Sequence, residues 1–196
     1  MKNIVRPALT LLISFSALVG LGYPLLMTGL GQVLFPFEAN GSIMRVNGKV
    51  LGSALIGQPF SAASYFWSRP SATASIPYDA SASNGSNLGP SNPTLSEAVA
   101  SRIGALKAAD PDNTAPIPVD LVTTSGSGLD PHISPAGAFY QVGRIARERN
   151  LPEADVRRLV EEHIEGRFLG MLGEPRVNVL LLNLALDGLM RERLKN

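Results

Sequence analysis

Cysteine is absent from the 196 residues, so disulfides, thiolate nucleophiles and cysteine-ligated zinc or iron–sulfur sites are excluded together. Histidine occurs only at His132 and His163, too few for a histidine-rich metal centre. An excess of positive charge is also missing: 17 Lys and Arg face 16 Asp and Glu, a net charge of +1. Nucleic-acid binding needs a basic stripe that displaces counterions, so the charge balance argues against a nucleic-acid partner. No repeat of fixed period is visible, which removes solenoids and propellers. At roughly 100–200 residues per domain, the length has room for one domain.

The charges that are present are spread unevenly. Between Arg6 and Glu38 there is no Asp, Glu, Lys or Arg, and the run Pro7 to Gln32 is dominated by Leu, Ile, Val, Ala, Gly and Phe. As a helix it would extend about 39 Å at ~1.5 Å per residue, against a bilayer core of ~30 Å. Pro24 is a candidate kink, tolerated where neighbouring helices or local geometry satisfy the freed carbonyl. A cleaved signal peptide is the alternative. The apolar run exceeds the ~7–15 residues of a signal core and no clear A-x-A site follows it, which favours an uncleaved anchor. Lys2 and Arg6 precede the run, whereas the next cations are Arg45 and Lys49. Positive residues resist translocation. The expected organisation is therefore a cytoplasmic amino terminus (1–6), a transmembrane helix (7–32) in the bacterial inner membrane, and an exported, periplasmic domain (38–196).

The exported part reads as α+β with a small sheet. Asn47-Gly48 between β-prone segments predicts a type I′ hairpin within 43–57. The following stretch, rich in Ser, Asn, Gly and Pro, reads as a long loop. Thr94 and Glu97 form a capping box for a helix over 95–108, with Leu95, Ala98, Val99, Ile103 and Leu106 inward. Val119–Thr123 reads as a short strand, and the run from Ser125 to Pro135 as another loop. Ser134-Pro135 is a helix start that turns Phe139, Val142 and Ala146 inward and Arg144, Arg147 and Glu148 outward. Asn150 and Glu153 read as the cap of a further helix, whose stripe runs Val156, Val160, Ile164, Phe168, Met171 and which ends at Gly173 and Pro175. The tail reads as a strand near 177–182 passing into a terminal helix.

Few constellations carry chemistry. Ser125, Ser127, Asp130 and His132 invite a serine-hydrolase reading, but triad members normally converge from separate elements and no G-x-S-x-G elbow is present. Ser125-Gly126-Ser127-Gly128 can approach an anion with backbone N–H groups, yet lacks the Walker pattern and its lysine; a tight turn is the simpler reading. His163 falls on an apolar stripe. Glu161, Glu162 and Glu165 mix with Arg157, Arg158 and Arg167 as a salt-paired helix face rather than a metal cluster. Tyr65-Phe66-Trp67, followed by Arg69-Pro70, is either local core or a contact surface for a membrane partner.

Taken in order, Gly52-Ser-Ala-Leu-Ile-Gly-Gln58, Tyr65-Phe-Trp-Ser-Arg-Pro-Ser-Ala72, the run Tyr78 to Asn92, the run Val122 to Pro135, Tyr140-Gln-Val142 and the run Val177 to Asp187 are highly specific. The chain resembles the C-subunit family of bacterial Kdp potassium-transporting ATPases over essentially its whole length. Gly143 departs from the pattern, since many relatives carry Pro after Gln-Val, and leaves that helix start open to local difference. The resemblance implies a non-catalytic subunit in a complex with a channel-like potassium subunit, an ATP-hydrolysing P-type ATPase subunit and a small single-span subunit. It also implies a catalytic-chaperone role that raises the ATP affinity of the ATPase subunit. No tightly bound cofactor is expected. A direct ATP contact would rest on Ser125, Gly126, Ser127, Gly128 and Gln141; an exported domain cannot reach cytoplasmic ATP, so coupling through the membrane helix or the channel subunit is the expectation. In the mechanical reading, Ser16, Ala17, Gly20 and Gly22 let the anchor pack on partner helices. Loops 83–92 and 123–135 then contact the channel subunit or line the ion's approach, with Asn84, Asn87 and Asn92 offering oxygens suited to K⁺; ordinary surface turns are the plain alternative. Tyr65, Trp67 and Arg69 complete the partner-contact candidates. A membrane-anchored exported hydrolase and a pilin-like interaction protein are the rival readings; the latter normally needs a processing site and an acidic residue near the helix start, and neither appears around Pro7.

Overall fold

A run longer than a bilayer is thick carries no charged side chain to interrupt it, and in the computed structural model it is one nearly unbroken rod. Residues 2–46 and 48–193 are described. Helix α1 (Lys2–Ala17) passes into a single π-helical stretch, Leu18–Gly22, and then into α2 (Tyr23–Leu34). The Tyr23 N–H donates to the Leu18 carbonyl, five residues back. Pro24 follows at once; its ring would clash with the carbonyl four residues earlier, and a widened turn at that place relieves the crowding. A short helix α3 (Pro36–Ala39) follows, then strands β1 (Ile43–Val46) and β2 (Lys49–Ser53), paired in a two-stranded sheet. The expected hairpin is present; Asn47, half of its turn, lies outside the described residues, and Gly48 takes the positive φ of 77° that the turn requires.

The chain divides into two units, Met1–Leu51 and Gly52–Asn196. The second begins with the long loop, which holds one 3₁₀ turn at Ala80–Ala82. Next come α4 (Pro93–Ala109), β3 (His132–Ile133), α5 (Pro135–Arg149), α6 (Glu153–Glu162), β4 (Ile164–Glu165), β5 (Arg176–Asn178) and α7 (Val179–Arg193). β5 lies between β3 and β4, antiparallel to both, with Val177 opposite Ile133 and Ile164. Ile133, Val177, Val142, Ile145, Val156, Val160, Leu182, Leu186 and Phe66 fill one core between this sheet and the helices. The class is α+β, with small sheets and one long apolar helix at the amino terminus.

Several local readings are corrected. Asn92, not Thr94, caps α4: its side chain accepts from the Thr94 N–H and Pro93 takes the first helical position. Val119–Thr123 is not a strand. Val119–Leu121 forms a 3₁₀ turn, because the Leu121, Val122 and Thr123 amides donate back to Pro118 and Val119 and Asp120 accepts from the Ser134 backbone N–H and hydroxyl. The 125–135 loop contains β3. Ser134 does cap α5, accepting from the Gly137 N–H, and α5 runs through Gly143 without a break. Arg144, expected to face outward, is 2% exposed. Asn150 closes α5 in a left-handed conformation instead of opening α6, which starts at Glu153 after Pro152. The long stripe holds for Val156 and Val160, both buried on α6, and fails beyond them as a helix face. Helix α6 stops at Glu162, His163 turns its Nδ1 to the Leu159 carbonyl at 2.8 Å, Ile164 enters β4, and Phe168 and Met171 lie exposed. Arg157 and Arg158 pair with Glu153 and Asp155 on α6, while Glu165 and Arg167 pair off the helix with Arg176 and Glu174. The tail strand ends at Asn178, and α7 begins at Val179.

Candidate interaction surface

Two buried amides hold the aromatic segment in place. Asn183 on α7 accepts the Phe66 N–H at 2.9 Å and donates to the Phe66 carbonyl at 3.0 Å. Gln141 on α5 does the same for the next residue, accepting from the Trp67 N–H at 2.7 Å and donating to its carbonyl at 3.2 Å. An amide paired with a backbone amide in both directions mimics a strand partner, so an irregular segment is buried with its backbone satisfied. Gln141 also receives Arg144 and donates to the Gly137 carbonyl. Its four hydrogen-bonding positions are thus all taken inside the fold.

Arginines complete the clamp. Arg144 donates to the Ala63 and Tyr65 carbonyls and stands over the Trp67 ring at 4.6 Å; burial lowers its pKa to about 10. Arg149 donates to the Ser64 carbonyl, pairs with Asp187 at 2.8 Å and lies over the Tyr65 ring. The Tyr65 hydroxyl donates to the same carboxylate. Phe66 is buried in the core, and Tyr65 and Trp67 are partly covered by cations. Sequence reading missed Asn183, Arg144, Arg149 and Asp187. The signal available was spacing: Gln141 with Arg144, and Asn183 with Asp187, sit three and four residues apart, on one helix face each.

The two polar loops form a second assembly. Arg69 donates to the Thr123 and Thr124 carbonyls and reaches Asp130 at 3.5 Å. Ser71 donates to the Gly128 carbonyl at 2.7 Å and accepts the Tyr78 N–H. The Tyr78 hydroxyl donates to the Arg69 carbonyl, and burial pushes its pKa up to about 12. The Asn84 N–H donates to the Ser127 carbonyl. Within the SGSG run, Ser125 accepts the Gly128 N–H and Ser127 accepts the Leu129 N–H. These donors face the loop's own hydroxyls, which makes the run a closed double turn. Gly126 is exposed, and Gly128 holds φ 68° where a Cβ would come within 2.6 Å of the Asn84 carbonyl.

His132 sits between carboxylates, Nδ1 at 3.2 Å from Asp130 and Nε2 at 3.8 Å from Glu165, which Arg176 holds at 2.9 Å. Burial alone would raise the Asp130 carboxyl, but the His132 side-chain and backbone hydrogen bonds and the His132 and Arg69 charges hold it below its ordinary value. Arg69, Asp130, His132, Ser134 and Arg176 line an open cleft of about 310 Å³. Both imidazole nitrogens face carboxylates while the Ser125 and Ser127 hydroxyls serve the turn, so these residues are not arranged as nucleophile, base and orienter. Among the described residues no cluster of three or more His, Asp and Glu could hold a metal ion.

Of the other candidates, Asn84 accepts from Asn87 at the loop surface and Asn87 takes a left-handed φ of 52°. Asn92 serves as the α4 cap. Ser16 and Ala17 end α1, and Gly20 and Gly22 lie in the π stretch; all four face outward from the rod. The structure brings Arg69 together with the SGSG loop, while Gln141 belongs to the aromatic clamp.

These features define a small α+β head, its polar groups turned largely on one another, behind one helix long and apolar enough to cross a membrane, Ile4–Leu34. The chain belongs to the KdpC family, the c chain of K⁺-transporting ATPases, whose family model matches residues 5–188. It is 64% identical over 184 residues to a potassium-transporting ATPase KdpC subunit of Sorangium cellulosum, covering 94% of this chain and 97% of that one. Subunits of the same name from Methylibium petroleiphilum and Methylococcus capsulatus are 63% and 61% identical, over 96% of this chain and 98% and 100% of theirs. The protein is a subunit of a potassium-transporting ATPase.

Proposed function

We propose that the chain is the non-catalytic, single-span subunit that stabilises assembly of the channel-like and P-type ATPase subunits, with a small single-span subunit completing the complex. The observation that carries this reading is the span itself: its most apolar window is 0% buried. A rod of 31 residues extends about 46 Å, beyond the ~30 Å hydrocarbon core, and its surface needs lipid and partner helices. Lys2 and Arg6 on one flank, against Arg45 and Lys49 on the other, support a cytoplasmic amino terminus and an exported head in the inner membrane. Potassium passes through the channel-like partner, and a partner chain hydrolyses ATP. A chaperone effect on ATP affinity then acts as a shift between conformations of the ATPase subunit, passed through the span or the channel subunit. The closed SGSG turn and the saturated Gln141 amide support that indirect route over a nucleotide contact.

Truncation after residue 38 tests the reading. The anchor alone is expected to insert and the complex to lose stability in mild detergent; unchanged assembly and transport would refute an assembling role for the head. Reporters fused at the carboxyl terminus test orientation separately: alkaline phosphatase is expected to be active there, and a cytosol-restricted fluorescent protein dark.

A further inference from the structure

Between β4 and β5 the chain makes a tight turn whose side chains have no place in the core. Phe168, Leu169, Met171 and Leu172 are 69%, 74%, 75% and 61% exposed. Soluble surfaces carry single apolar residues routinely, but four adjoining ones mark a contact. The turn is built rather than loose: Phe168 and Leu172 exchange both backbone hydrogen bonds, at 2.8 and 3.0 Å, and Gly170 and Met171 donate back to Arg167 and Phe168. Leu169 holds a left-handed φ of 52°, which is costly for a branched side chain with nothing around it. At its base, Arg167 pairs with Glu174 at 2.7 Å and Arg176 with Glu165 at 2.9 Å.

We propose that this hairpin tip, Phe168 to Leu172, inserts into the interfacial layer of the lipid bilayer in which the amino-terminal span is anchored. The tip exposes four apolar side chains and no polar one, which suits a fluid apolar layer. The ion pairs below it are mutually neutralised, so they reach headgroup depth without an isolated charge to desolvate. The head is tethered to the span by its own chain, and the tip lies a short way along the backbone from the point of entry. Asn178, at the end of β5, donates to the Ala54 carbonyl, where the chain from the span enters the head; from Leu172 to Asn178 the backbone extends at most roughly 21 Å. Tethering raises the effective concentration of lipid at the tip, so weak insertion suffices. Either orientation of the span serves equally, because a bilayer leaflet faces the head in both.

Absence of cysteine makes the test direct. The full chain carrying Leu169→Cys, or Met171→Cys as a second variant, is labelled with an environment-sensitive fluorophore and reconstituted in phosphatidylcholine vesicles containing nitroxide-labelled lipid. Ser101→Cys, on the exposed side of α4, is the reference. Both tip labels are expected to shift to the blue and to be quenched at least about twofold more than the reference, in the chain alone and in the assembled complex. Flotation with the vesicles reports the anchor independently. A chain that floats while its tip labels stay as water-exposed as the reference overturns the insertion and leaves the anchor standing. Protection that appears only when the other subunits are present assigns the tip to a protein socket and overturns it equally.

Discussion

At the scale of single residues, the most informative side chains are polar and buried. Gln141 satisfies both backbone groups of Trp67 and receives Arg144. Replacing it by Leu keeps the volume and leaves the Trp67 N–H and an Arg144 N–H without their acceptor. A buried donor without its partner costs about 1–3 kcal/mol. Gln141→Leu is accordingly expected to lower unfolding stability by about 2–3 kcal/mol, read from the denaturant midpoint by circular dichroism of the full chain in detergent. An effect below the error of the measurement would mean that water replaces the amide. Asp130 makes a prediction in pH. Its carboxyl is held below its ordinary value, so the folded state binds its proton more weakly than the unfolded chain does. The resulting stability is present above the unfolded value of ~3.9 and is lost as pH falls through and below it. Asp130→Asn is expected to be less stable than the parent at neutral pH, with the gap narrowing below about pH 4; a gap independent of pH would sink the ionic account.

Elements show which rules of sequence reading hold and why others yield. Ser134-Pro135 and the long charge-free run were legible because a cap, a proline at the first helical position and the absence of charge are local facts. Asn92-Pro93 carries the same signal as Ser134-Pro135, yet the Thr94–Glu97 pair drew the start two residues too late. Val119–Thr123 looks like a strand by side-chain type; Asp120, bound to Ser134 from outside the segment, decides its conformation. The stripe Val156 to Met171 continues helical spacing past the helix's end, since spacing alone cannot show that Phe168 and Met171 have nothing to pack against. Arg144 was misplaced because its acceptors are backbone carbonyls of a loop far away in sequence, invisible to any local pattern. The glycines separate these levels. Gly128→Ala would set a Cβ within 2.6 Å of the Asn84 carbonyl at a positive φ, so it is expected to cost about 1–3 kcal/mol and to speed proteolytic cleavage within 70–90. Gly104, exposed on α4 with nothing within 4 Å of its Cβ position, is the opposite case. Gly104→Ala is expected to add about 0.5–1 kcal/mol, measured as a rise in thermal midpoint. A destabilised Gly104→Ala would mean that this face of α4 is already in contact with something.

For the whole molecule, the question is how a head and a rod of such different chemistry act together. The head has a core of its own, while the rod is exposed along its length and cannot be stable in water in that form. Lipid supplies no hydrophobic force between helices, so a rod finds its partner by close packing, which small residues permit. Gly20 and Gly22 lie in the π stretch beside Pro24, and neither has a close neighbour: a Cβ on Gly20 meets nothing within 4 Å, and one on Gly22 makes only ordinary contacts at 3.8 and 3.9 Å. Leucine at both positions would therefore cause no Cβ-level clash within this chain and would favour insertion. What it removes is the room for another helix. Gly20→Leu combined with Gly22→Leu is expected to leave vesicle flotation unchanged and to reduce co-purification of the other subunits about tenfold, the effect of 1–2 kcal/mol of lost packing. Equal flotation with full co-purification would place the partner-facing side of the rod away from Gly20 and Gly22. Loss of both would point to a fault in insertion, which the full-length chain carrying Gly29→Leu, a change at another glycine with nothing within 4 Å, is expected not to show.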